Sequence, residues 1–353
     1  DEAHDAPSIL ASAIGADFRE SELDIPDFPA MPLWAAWAED KIKEVKEALM
    51  GAQTGWERRK LRDLGRRLFR ISVARGEWVW SKRKMGKEQG ISFEPLWAAE
   101  FAEAWLFRGI QKVVFTSASV TPQTLGYLGL TPKDFLFLDL PSPFPPARRP
   151  IIHVPTVRIN QRTTEGELRI WVTRHDQIIQ GRLDRKGIAH PVSYKRAKFL
   201  KEHSEYGEHG MDIMLVPRTS EETREAIKEF KLRDPPVLLV APGIHTGYDF
   251  PYDLARYQII GKIPFPDMTD KIVAARIKAD DGYMLWAAVT KLQQTTGRVM
   301  RAEDDWGETF IIDNLVASPW IMKKNVKLFS KWWLEAYRAQ AVIPKAPRMG
   351  VGS

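Results

Sequence analysis

The chain has 353 residues, 44% hydrophobic and 28% charged, which sets it among soluble globular proteins of two or three domains and excludes a disordered or fibrous chain. It contains no cysteine, which excludes disulfides, thiolate metal sites and an iron–sulfur cluster held by this chain. The net charge of +6 is unevenly spread: twelve Lys/Arg lie between Arg58 and Lys87 against Asp63 and Glu77, and the rest is slightly acidic. No apolar run approaches the roughly 18 residues a membrane span needs. The acidic opening is the opposite of a secretory leader, so a cytoplasmic setting is expected. The missing initiator Met points to a fragment or a processed product.

In chain order, residues 1–20 read as a strand end, a turn and a helix start, and the Pro-, Asp- and Phe-rich 21–30 as a linker. From Leu33, Trp34, Trp37, Ile42, Val45 and Leu49 follow helical spacing, with Gly51 as a stop. Leu61, Leu64, Leu68 and Ile71 form a second stripe, opposite Arg58, Arg59, Arg62, Arg66, Arg67 and Arg70. A helical insertion with one basic side is therefore expected over 21–88. Such a side attracts phosphate backbones through counterion release, although a solvated helix face is the ordinary alternative. Leu96 to Phe107 reads as helical. Val113-Val114-Phe115 and Phe135 to Leu140 read as buried strands, and the proline-rich 141–150 as a hinge. Beyond it, strands are expected at 151–154, 211–216, 237–240 and 310–312. Helices are expected near 172–185, 220–231, 283–300 and 325–340. Strands alternating with helices predict an α/β fold built on parallel sheet.

Four local patterns carry chemistry. Asp1-Glu2-Ala3-His4 places two carboxylates at a strand end, one able to hold Mg²⁺ and one to polarise a water, though an acidic tail is the plainer reading. Thr116-Ser117-Ala118-Ser119 supplies hydroxyls after an apolar run, a pattern that ordinary helix capping also produces. Gly243 to Pro251, with Arg256 and Ile263-Pro264-Phe265-Pro266 downstream, offers glycines for close approach and Asp249 as a fixed acceptor. Gln294 to Arg301, followed by Asp305-Trp306-Gly307, places Arg298 and Arg301 at i and i+3, expected on one helix face and suited to phosphate oxygens.

In this order the patterns resemble motifs II, III, V and VI of superfamily 2 helicases, most closely the DinG/XPD branch. Lys186-Gly187-Ile188 through Ser193-Tyr194 resembles motif IV, and the insertion sits where that branch carries its arch domain. The resemblance implies two RecA-like domains gripping ATP. One is partial, over 1–20 and 89–148, with 21–88 inserted, and one is complete, over 149–345. It implies that Asp1 binds Mg²⁺ and that Glu2, a second metal and nucleotide ligand, is the catalytic base. Ser117, Ser119, Ser193 and Tyr194 would couple nucleotide state to single-stranded DNA, together with the basic Arg58, Arg62 and Arg66. Gly247 and Asp249 would line the nucleotide cleft, and Gln294, Gly297, Arg298 and Arg301 would meet the phosphates. Movement in this family is 5′ to 3′.

The sequence departs from the family in having no phosphate-binding loop; Gly86-Lys87 and Gly261-Lys262 lack its spacing and hydroxyl. An upstream region bearing that loop is thus an expected partner, in the same chain or in trans, and any iron–sulfur cluster would lie upstream as well. The insertion is short for an arch, and Ser119 stands where many relatives have Thr. Trp78, Trp80 and Trp97 are candidates for base stacking, against the commoner role of tryptophan as a core anchor. A non-hydrolysing nucleic-acid-binding or adaptor module derived from a helicase is the alternative; Glu2, Arg298 and Arg301 argue against it, because a binding module needs none of them.

Overall fold

A computed structural model describes residues 2–244 and 247–349 and divides the chain into two units, Asp1–Phe137 with Pro266–Met284, and Leu138–Phe265 with Leu285–Ser353. In the first unit, helix α1 (Ala6–Ile14) leads into strand β1 (Ala16–Arg19), and a helical pair follows, α2 (Met31–Gly51) and α3 (Gly55–Ser72). Thr54 and Glu57 form a reciprocal capping box that satisfies free N–H groups where α3 begins. Trp34, Ala38 and Val45 of α2 and Leu64, Leu68 and Ile71 of α3 close one core with Phe18 and Phe93. Strands β2 (Trp78–Met85) and β3 (Glu88–Pro95) form a hairpin whose two-residue turn places Gly86 at φ 72°, a conformation glycine adopts without strain. With β1 they make an antiparallel sheet in the order β1-β3-β2. Helix α4 (Pro122–Gly126) and helix α8 (Lys271–Ala279) complete the unit.

Two expectations are corrected here. The insertion is helical only in its first part; residues 78–85 are a strand, rich in β-favouring Trp78, Val79 and Trp80 and paired along its whole length with β3. The runs 113–115 and 135–140 form no strand. A parallel strand needs a neighbour to satisfy its N–H and C=O groups. Beside the first run the Thr116 carbonyl accepts from the N–H of Ala3 (3.0 Å), and Val114 remains 84% exposed.

The second unit is the expected parallel α/β layer. Its strands are β4 (Ile151–Val157), β5 (Gly187–His190), β6 (Met214–Leu215), β7 (Leu238–Val240), β8 (Tyr257–Ile260), β9 (Glu308–Asp313) and β10 (Tyr337–Ala339). They lie in the order β10-β4-β9-β8-β5-β7-β6, and every pairing is parallel. Helices α5 (Glu165–Gln180), α6 (Tyr194–His203), α7 (Ser220–Leu232), α9 (Tyr283–Thr296) and α10 (Lys331–Ala336) supply the covering layers. Leu238 and Val240 join the core under α5 and α6, whereas the intervening Leu239 joins Ile227 and Phe230 of α7 on the opposite face. Arg182 and Glu308 form a fully buried two-bond ion pair (2.6 and 2.7 Å). No helix among the described residues is long and apolar enough to cross a membrane.

Candidate functional site

Two patterns separated by some fifty residues meet in the second unit. Helix α9 ends at Thr296, so Gly297, Arg298 and Arg301 lie in the turn and loop after it, not on a helix face as expected. What brings the two arginines together is Asp249: Arg298 Nη1 lies 3.4 Å from Oδ1 and Arg301 Nη2 lies 3.1 Å from Oδ2. Arg298 is buried and fixed from three further directions, donating to the Gln294 carbonyl (3.1 Å), Gln294 Oε1 (3.2 Å) and the Tyr248 carbonyl (3.1 Å). Arg301 is more exposed and donates to the Gly297 carbonyl (3.3 Å). Gly247 stands at φ 76°, which favours glycine over any side chain.

Asp305 is the hub that the sequence reading quoted but did not place in the site. It is fully buried and accepts from the backbone N–H of Tyr252 (3.0 Å), Arg301 (3.1 Å) and Trp306 (2.8 Å), and from Arg256 Nη1 (2.7 Å). Arg256 in turn lies over the Trp306 ring (4.8 Å). A buried carboxylate with four donors pins the loop before β8 to the loop before β9, which holds Asp249 against the arginines. The signal for it was the Asp-Trp-Gly triplet, a charge beside an aromatic and a turn residue.

The first unit brings Glu2 and His4 to the hydroxyl pattern. Asp1 lies outside the described residues. Glu2 is exposed, at φ 54°, and His4 is buried beside it, its Nδ1 3.1 Å from Glu2 Oε2 and 2.8 Å from Ser117 Oγ. Ser117 Oγ also accepts from the N–H of Ser119, which is fully buried (3.2 Å). A path of polar contacts thus runs Glu2–His4–Ser117–Ser119, with His4 as the link for which the sequence reading had no role. Among the described residues no three His, Asp or Glu side chains form a metal cage. Mg²⁺ commonly needs only one or two carboxylates with water and phosphate, and the Asp1–Glu2 couple has that donor chemistry.

The basic insertion proves narrower than expected. Arg58, Arg62 and Arg66, spaced four apart, are exposed on α3, with Arg59 beside them. Arg67 and Arg70 leave this face: Arg67 pairs with Glu22 (2.7 Å) and Asp63 (3.0 Å), and Arg70 donates to the carbonyls of Ala13 and Gly15 (both 3.0 Å) over the Trp105 ring. Their sequence spacing is right for the basic side, but packing against β1 and α1 recruits them as ties. The stacking candidates are engaged within the unit. Trp78 is buried against Phe101, Trp80 lies edge-on to Trp34, and Trp97 is stacked on Tyr127 at 5.0 Å. In the second unit, Ser193 caps α6 through the Arg196 N–H (3.3 Å), and Tyr194 is exposed in the first turn.

Comparison with known proteins bears on this arrangement. A family model for the helicase C-terminal domain matches residues 186–336. No curated protein sequence matches the chain. Among solved structures, one of XPD in its apo form is similar over 96% of this chain and 76% of its own, with a TM-score of 0.55 and 12% identity, a likeness of fold. Residues 186–336 thus match the helicase C-terminal domain family, and the chain is similar in fold to XPD.

Proposed function

We propose that this chain is the working part of an ATP-dependent helicase that moves 5′ to 3′ along single-stranded DNA, with domains at 1–20 plus 89–148, 21–88 and 149–345. The observation that carries the reading is the convergence of the buried Arg298 and the exposed Arg301 on the exposed Asp249. Asp249 holds both guanidinium groups with one oxygen each, an arrangement a nucleotide phosphate could take over, since Arg matches carboxylate and phosphate in the same bidentate fashion. In that exchange Arg298, held by Gln294 and the Tyr248 carbonyl, orients the phosphate, and Arg301 moves onto it as charge develops. Glu2 accepts the proton of the attacking water. Its contact with His4, and through it Ser117, transmits nucleotide state toward the bound strand. Asp1 and Glu2 would hold Mg²⁺, whose charge neutralises the phosphates when bound.

The reading also requires a partner segment bearing the phosphate loop. The extended residues 112–117, with Val113 and Val114 exposed, have the composition of an interior strand and no sheet to join among the described residues. A further polypeptide segment laid alongside them supplies the ladder. The test is ATP hydrolysis with and without single-stranded DNA. The chain joined to such a segment should be stimulated by DNA, and the chain alone should stay at background. Robust hydrolysis by the isolated chain, or a completed protein that binds DNA but never hydrolyses ATP, would refute the proposal, the second result favouring an adaptor.

A further inference from the structure

Residues Ile343-Pro344-Lys345-Ala346-Pro347-Arg348 form no helix or strand, yet they are tied into the second unit. Pro344 and Pro347 fix their own φ, and Ile343 and Ala346, each before a proline, are steered to extended backbone. Such a segment favours the polyproline course, whose three-residue turn aims carbonyls three positions apart to one side. Two buried arginines, also three positions apart, take those carbonyls: Arg182 Nη2 donates to Pro344 (3.2 Å) and Arg185 Nη2 to Pro347 (2.7 Å). Ile343 packs against the core under α5 and α6, which anchors the segment where it begins. The result is a strap over two arginines.

Arg185 links the strap to the Asp305 hub. Its guanidinium lies over the half-buried Trp306 ring (5.4 Å to the centroid), which Arg256 also covers (4.8 Å). Arg256 donates to the Trp306 carbonyl (2.9 Å) and to Asp305 (2.7 Å), and Asp305 accepts from the N–H groups of Arg301 and Tyr252. The loop that carries Trp306 also sits tightly on the arginine segment. A Cβ at Gly307 would stand 2.8 Å from Val299 Cγ2 and 2.9 Å from the Val299 carbonyl, so only glycine lets the two approach this closely. An aromatic that merely fills space calls for apolar neighbours, whereas Trp306 holds two guanidinium groups, an attraction that strengthens as water is excluded. We infer that Trp306 is a positioning residue for the phosphate-handling pair Arg298 and Arg301, braced through Arg185 by the 343–348 strap. The role rests on the nucleotide reading of that pair.

The test is amide hydrogen exchange, read by mass spectrometry, on the full chain and its W306A, W306F and R185Q variants. The peptides holding Tyr252 and Arg301 report on the hub, and strand β7 serves as the internal reference. W306A should speed exchange at both peptides about tenfold and leave β7 unchanged, since losing two cation–π contacts opens the Asp305 loops locally. W306F should stay close to wild type, because it keeps a ring face for both guanidinium groups. R185Q should raise exchange at the hub and also at 343–348. In the chain joined to its phosphate-loop segment, W306A should bind a fluorescent ATP analogue about tenfold more weakly, and the analogue should slow exchange at 343–348, because coupling is reciprocal. Exchange unchanged in W306A, or raised equally in β7, would overturn the brace. A raised W306A beside an R185Q like wild type would overturn the part of the strap. Exchange as expected with analogue affinity unchanged in W306A would overturn the positioning role. A joined wild type that takes up no analogue would instead sink the nucleotide reading, and the exchange results would still decide the brace.

Discussion

Arg298 and Arg301 differ in how they are held, and the difference matters for what each can do. Arg298 is buried with backbone and side-chain acceptors on three sides, so its guanidinium is preorganised; Arg301 is more exposed and has Asp249 and one carbonyl to leave. In the protein completed with its phosphate loop, Arg298→Ala or Arg301→Ala is expected to lower ATP turnover by roughly 10³ while leaving single-strand affinity nearly intact. Steady-state hydrolysis beside oligonucleotide binding checks this; a variant that turns over normally removes the finger role. The importance of both residues was legible from their spacing to Gln294 and Gly297. Their meeting point on Asp249 was not, because a side chain some fifty residues upstream leaves no local trace. Asp305 was obscured for the same reason: its four donors come from two different loops.

At the scale of the element, α3 shows how one helix serves two purposes. Its inward stripe of Leu64, Leu68 and Ile71 was readable from a 3.6-residue period, and the period alone placed six arginines outside it. Packing then divides them, with Arg67 and Arg70 tying α3 to β1 and α1, while Arg58, Arg62 and Arg66 stay exposed, Arg58 donating to the Ala52 carbonyl (3.2 Å) and Arg66 lying 3.5 Å from Asp63. Replacing these last three with Gln should reduce the salt slope of single-strand binding by up to about 2, three contacts at about 0.7 each, with little change in stability. Replacing Arg67 with Gln should destabilise the first unit instead, because Glu22 loses a part-buried partner. Salt-dependent binding and urea melts on the two sets of variants check the division; equal binding loss in both sets would erase it. The run 113–115 is the opposite case. Its composition is that of a buried strand, yet strand structure depends on neighbours for its hydrogen bonds, whereas a helix closes its own.

At the scale of the whole molecule, the second unit carries a built-in sensitivity to acid. His175 is fully buried on α5, donating from Nδ1 to the Trp171 carbonyl (2.9 Å), and burial pushes its pKa down to about 4. A histidine depressed in the folded state stabilises fully above its unfolded pKa of 6.5. That contribution is lost as pH falls from there toward about 4, because the unfolded chain takes up a proton that the folded chain refuses. Urea unfolding of the second unit should therefore weaken by about 3 kcal/mol over that interval. His175→Gln should flatten the dependence, and an equally steep loss in that variant would assign it elsewhere. The sequence by itself determined the α/β class, the order of the motifs and the residue types able to handle phosphate, since these reside in local period, composition and spacing. Only the tertiary structure decided which arginines of α3 tie it to its neighbours and which stay exposed, and that two distant loops converge on Asp305. Each of those outcomes depends on long-range pairing and on desolvation, two quantities that come into being only when remote parts of the chain are packed together.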